Sequence, residues 1–157
     1  MAYFAAVVHK LNHLDCPVVS ASEHTIHTYV VGTDSCKQDW FSFSCILEEF
    51  LVCGKESHQS ICRAILRGNN AGCYHCSAFL STINSTSRGS GIEVLRYDFS
   101  DPQSGKHFCD RKIAPCKQRL QHYVAQNHNV ESVKDIKKGL ESPPGIAGMS
   151  VAECKID

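Results

Sequence analysis

The chain has 157 residues with 16 basic and 16 acidic side chains, so its formal charge is zero. A hydrophobic share of 43% and a charged share of 20% match a globular domain and exclude a disordered segment or a uniformly basic nucleic-acid coat. No apolar run approaches the roughly 18 residues of a membrane span, so no membrane partner is expected.

The start, Met1 to Lys10, is apolar with no basic stretch before it, and reads as a strand over Tyr3–His9 rather than a signal peptide. An intracellular setting, nuclear or cytoplasmic, follows as the expectation. With it come free thiols for the ten cysteines rather than a disulfide framework. A loop containing Pro17 leads to a second predicted strand, Thr25–Val31, whose apolar residues fall on both faces. Gly32-Thr-Asp-Ser35 supplies turn and capping chemistry. A helix is predicted from Lys37 to Cys53, because Trp40, Phe43, Leu47, Phe50 and Leu51 recur at helical spacing, with Gly54 as its stop.

A third strand is expected over Ile61–Leu66, then a turn cluster over Arg67–Gly72. A second helix, Cys73–Ile83, follows on the stripe Cys73, Cys76, Leu80 and Ile83. Ser85 to Gly91 reads as a flexible break and Ile92–Tyr97 as the fourth strand. After the loop Ser100–Gly105, a third helix is predicted over Lys106–Ala125 on the stripe Cys109, Ile113, Cys116, Leu120 and Tyr123, interrupted near Pro115. A short helix from Asn129 presents Val133, Ile136 and Leu140 and ends at Pro143-Pro144-Gly145. The order β-β-α-β-α-β-α-α predicts one α/β domain over 1–141, with parallel neighbours and an antiparallel opening pair. Residues 142–157 read as a loosely ordered tail.

No glycine-rich phosphate loop, nucleophile elbow, His-Glu-x-x-His or EF-hand loop is present. Two constellations remain. Cys73 and Cys76 have zinc-ligand spacing, with His58 and Cys62 upstream as further donors; the alternative is that the cysteines pack as small hydrophobes. The second is a carboxylate site at the strand ends, where Arg67–Asn70, Asp98 and Asp110 fall. Two-metal phosphoryl transfer needs several acids converging there. Asp110 also fits a surface acid paired with Lys106 or Arg111. Lys106, Arg111, Lys112, Lys117 and Arg119 surround it on the third helix and could face a phosphate backbone, or simply solvent.

Taken together, His27-Thr-Tyr-Val30, Cys36-Lys-Gln-Asp-Trp40, Leu66-Arg-Gly-Asn-Asn-Ala-Gly-Cys-Tyr-His75, Arg96-Tyr-Asp-Phe-Ser-Asp-Pro-Gln-Ser-Gly-Lys106 and Cys109-Asp-Arg111 resemble a family of animal proteins derived from DDE-type transposases, which often carry zinc fingers elsewhere. The resemblance covers about residues 25 to 141. It implies a ribonuclease H-like fold, a mixed sheet flanked by helices, here lacking the first and central strand of the order 3-2-1-4-5. In that fold one acid lies on the first strand, one after the fourth and one on the helix after the fifth. Asn69 stands where the second acid belongs, and Asp110 is the candidate third. The first has no expected counterpart, the resemblance implying that the chain begins after it, and Asp15 in a loop is a poor substitute.

The implied activity, Mg²⁺-dependent DNA strand cleavage and transfer, is therefore expected to be lost. The resulting expectation is a truncated, catalytically inactive remnant with weak residual DNA binding and no cofactor. Without the central strand, unpaired edges are expected on both sides of the gap. The alternatives are a zinc-stabilised binding module and a metal-free interaction domain.

Overall fold

The computed structural model of the chain describes residues 3–10, 26–34, 37, 39–68, 72–99 and 108–156; for 3–10, 26, 27, 67 and 108–112 it describes the backbone only. The elements in chain order are β1 (Tyr3–Lys10), β2 (Ile26–Thr33), α1 (Trp40–Ser57), β3 (Arg63–Gly68), α2 (Gly72–His75), α3 (Ser77–Ser90), β4 (Glu93–Phe99), α4 (Phe108–Ala125), α5 (Val133–Glu141) and β5 (Met149–Glu153). The described residues form a mixed α/β chain with two small sheets, one ordered β1-β2-β5 and the other β3-β4. Strands β1 and β2 are antiparallel from Tyr3↔Thr33 to Lys10↔Ile26, the hairpin expected from the sequence. β2 runs parallel to β5, and β3 runs parallel to β4. No helix among the described residues is long and apolar enough to cross a membrane.

β2 divides two cores, as its two-faced pattern predicts. Tyr29 and Val31 join Ile46, Leu47, Phe50 and Leu51 of α1, Ala64 and Leu66 of β3, and Phe79 and Ile83 of α3. Val30, on the opposite face, packs with Cys116 of α4, Ile136 and Leu140 of α5, and Val151 of β5. Strands covered on both faces read as continuous apolar runs, which is how parallel pairs are normally built.

α1 begins where Asp39 accepts a hydrogen bond from the Ser42 amide at 2.9 Å, a cap that satisfies one free N–H of the first turn. That bond holds the Asp39 carboxyl below its usual range. The helix does not stop at Gly54 but continues to Ser57, with the His58 N–H returning to the Gly54 carbonyl. Lys55 explains the extension. Its ammonium donates to the carbonyls of Gln59 at 2.9 Å and Ile61 at 2.7 Å, beside the negative end of the helix dipole.

The single helix expected over Cys73–Ile83 is two helices, broken at Cys76, where ψ is 152°. The restart shifts the helical phase. Phe79, Ile83, Thr86 and Ser90 face inward, while Leu80 is 39% exposed rather than buried as the unbroken stripe implied. The expected flexible break over Ser85–Gly91 is helix as far as Ser90, ended by Gly91 at φ 70°, a left-handed conformation that glycine adopts without strain. The serines that suggested a loop bond locally instead. The Ser87 hydroxyl donates to the Ile92 carbonyl at 2.8 Å and accepts from the Val94 amide at 3.0 Å, fastening α3 to β4.

α4 is one continuous element through Pro115. α5 starts at Val133, later than the Asn129 expected, because Ser132 and Asp135 form a capping box. Asp34 accepts from the Val133 amide at 2.6 Å, tying the turn after β2 to the α5 start. The three predicted apolar residues, Val133, Ile136 and Leu140, are all buried. The C-terminus differs from its expected loose tail. Met149–Glu153 is a strand paired with β2, and Val151 and Cys154 are buried.

Candidate functional site at the strand ends

Parallel pairing sets the carboxyl ends of β3 and β4 side by side, with Gly68 opposite Phe99. Open α/β sheets place their sites at such ends. What gathers there is aromatic. Tyr97 of β4 lies edge-on to Phe79 at 5.5 Å and to Phe99 at 4.9 Å. Phe43 of α1 lies 4.8 Å from Phe79 and 4.3 Å from Tyr74 of α2. His75 meets the Phe99 ring at 6.0 Å.

Tyr97 reaches this cluster because of a bulge. The register shifts between Ala64 and Ile65, so two β4 residues, Leu95 and Arg96, oppose one step of β3. The insertion turns Val94 and Tyr97 both towards the core, although they are three apart. The Tyr97 hydroxyl is buried with no hydrogen-bond partner among the described residues. Burial, then the nearby Tyr74 and Cys73, push its ionisation above the usual tyrosine range. It lies directly over Gly68, where any Cβ would collide with it.

The acids are sparse. Asp98, at the end of β4, is held by Arg96 through an Nε to Oδ2 contact of 3.0 Å. Asn69 and Lys106 lie outside the described residues. Asp110, Arg111 and Lys112 lie in the first turns of α4, with their side chains outside the description. Among the described residues no group of three His, Cys, Asp or Glu side chains is placed to hold a metal ion.

The four proposed zinc donors separate into two pairs. His58 and Cys62 precede β3, and the Cys62 carbonyl accepts from the Glu93 amide at the start of β4. Cys73 and Cys76 follow the other end of β3. Six strand residues at about 3.3 Å each span roughly 20 Å, far beyond a shared tetrahedron with bonds of about 2.3 Å to sulfur. Cys76 packs against the main core, and burial pushes the Cys73 thiol upward. Cys62, Cys73 and Cys76 are free thiols.

The basic residues of α4 also divide. Lys117 is exposed. Arg119 is committed within the fold. Its Nη2 donates to the Ser142 carbonyl, to the Ser142 hydroxyl at 3.0 Å and to the Pro143 carbonyl at 2.6 Å, clamping the end of α5 to α4. The sequence singled out neither Tyr97 nor Tyr74 as a site residue. The strand bulge and the break at Cys76 that bring them together carry no glycine or proline mark at those positions. No family model, curated protein or solved structure matches the chain.

Proposed function

We propose that the chain is a ribonuclease H-like domain of DDE-transposase descent that does not cut DNA and retains weak contact with it through α4. One observation carries this reading: among the described residues the strands form two separate sheets in which β1 and β3 are terminal strands. These are the two strands that flank the central strand in the order implied by the resemblance. The antiparallel hairpin before α1, and the parallel β3–α3–β4 unit followed by α4, support the same lineage. Inactivity rests on charge. Asn69 supplies a neutral amide where the second acid belongs, and a neutral amide binds Mg²⁺ more weakly than a carboxylate does. The Asp98 carboxylate at the end of β4 is already paired with Arg96.

The test is purified protein with labelled duplex DNA and Mg²⁺ or Mn²⁺. No cleavage or joining is expected. Binding should weaken steeply with salt, and Lys117→Glu should weaken it further while lowering the salt slope by about one to two counterions. Cut or joined products would overturn inactivity, and binding insensitive to salt and to Lys117→Glu would overturn the DNA contact.

A second reading, a metal-free interaction domain, is favoured by the outward face of β3–β4. Ile65 is 46% and Leu95 52% exposed there, although parallel strands are normally covered on both faces.

A further inference from the structure

Cys73 and Cys76 sit at the carboxyl ends of β3 and β4, and the proposed function does not use them. The Cys76 Sγ lies 3.9 Å from the Cys73 carbonyl oxygen. Residues three apart on a helix have Cβ atoms about 5–6 Å apart, and a disulfide requires about 3.5–4.5 Å. The joint that could close this gap is already present. Cys76 itself is extended, with φ −72° and ψ 152°, and it links the single-turn α2 to the fourteen-residue α3. Both thiols are half-buried. Between them, the Tyr74 ring meets Phe43 and the His75 ring meets Phe99.

We infer that Cys73 and Cys76 are a dithiol pair that exchanges with low-molecular-weight disulfides and closes to an intramolecular disulfide. The two thiols have different roles. Cys76 stands at the N-cap of α3 with no side-chain cap hydrogen bond, and its Sγ lies beside the Cys73 carbonyl. Cys73 is held as a thiol, first by burial and also by the charge of Cys76.

Cys76 loses its proton to solvent and attacks one sulfur of a disulfide RSSR. A Cys76–SR mixed disulfide forms, and RS⁻ leaves and takes up a proton. Cys73 then loses its proton and attacks the Cys76 sulfur, and the second RS⁻ leaves and is protonated. Two protein thiols are oxidised and one small disulfide is reduced to two thiols.

The test is the full chain incubated with oxidised glutathione and mapped by peptide mass, with Cys62 as an internal control. Cys62 is exposed and at the far end of β3. The wild-type peptide carrying Cys73 and Cys76 is expected to lose two hydrogens, while Cys62 acquires a glutathione adduct. Cys73→Ser should stop at glutathione on Cys76, and Cys76→Ser should leave Cys73 unmodified. Glutathione on both thiols without closure overturns the proposal. So does equal reactivity of Cys73 in the Cys76→Ser variant, or wild-type thiols that react only after a chelator is added. The wild-type measurement stands alone if a serine variant fails to fold.

Discussion

At the scale of single residues, Tyr97 and Gly68 are coupled by one hydroxyl. The Tyr97 ring is well packed between Phe79 and Phe99, but its oxygen is buried without a partner among the described residues. A buried unsatisfied polar group costs about 1–3 kcal/mol. Tyr97→Phe keeps the ring and removes that cost, so it is expected to leave thermal stability unchanged or raise it by about 1 kcal/mol. Gly68→Ala drives a methyl into the same oxygen and is expected to destabilise.

The pH dependence has a definite sign. In the unfolded chain Tyr97 ionises near its ordinary value of 10.0, and in the fold only above it. The folded chain therefore retains a proton that the unfolded chain releases, and stability falls as pH rises above 10. Tyr97→Phe should flatten that fall in a melting-temperature series between neutral and alkaline pH. A loss of stability in Tyr97→Phe at neutral pH would show that the hydroxyl has a bonding partner after all.

At the scale of elements, periodicity located most of the chain and failed where the backbone changed phase. The face of α5 was legible because Val133, Ile136 and Leu140 hold strict helical spacing and all three are buried. The α2–α3 stripe was misjudged because an extended residue at Cys76 resets the phase. Nothing in Cys73-Tyr-His-Cys76 announces such a reset. β5 was missed because only Met149 and Val151 mark it as a strand, and its partner β2 lies more than a hundred residues earlier.

Where α4 meets α5, close packing outweighs propensity. Gly139 lies in α5, and a Cβ there would stand 2.9 Å from Leu120 Cδ2 and 3.0 Å from Tyr123 Cδ1. Alanine gains about 1 kcal/mol of helix propensity over glycine, whereas overpacking costs about 1–3 kcal/mol. Gly139→Ala is therefore expected to lower stability by roughly 1 kcal/mol. Leu120→Ala in the same chain makes room, so a double-mutant cycle followed by chemical denaturation should show coupling between the two sites. A rise in stability for Gly139→Ala alone would mean that α4 and α5 are more loosely packed than described.

At the scale of the whole molecule, the question is whether the strand ends can concentrate negative charge. Their location was legible from the strand order. Their content was not, because Asp98 is neutralised by Arg96 at 3.0 Å, a pairing two residues apart on an exposed strand that no motif encodes. What fills the position is a cluster of rings and thiols around Tyr97. A site that binds a divalent ion in the folded state alone stabilises it by about 2.7 kcal/mol when the ion is at 100 times its dissociation constant.

The wild-type chain is expected to show no shift in melting temperature with Mg²⁺ or Mn²⁺ at millimolar concentration, at constant ionic strength. Asn69→Asp adds a carboxylate at the position the resemblance assigns to the second acid. With Asp110 as its partner, it is expected to produce a Mn²⁺-dependent rise, read against Asn69→Asp/Asp110→Asn as the control. A metal-dependent rise in the wild-type chain would mean that carboxylates already converge there, and the proposal of an inactive domain would be overturned. A rise that survives in the double variant would place the ion away from α4 and remove Asp110 from the site.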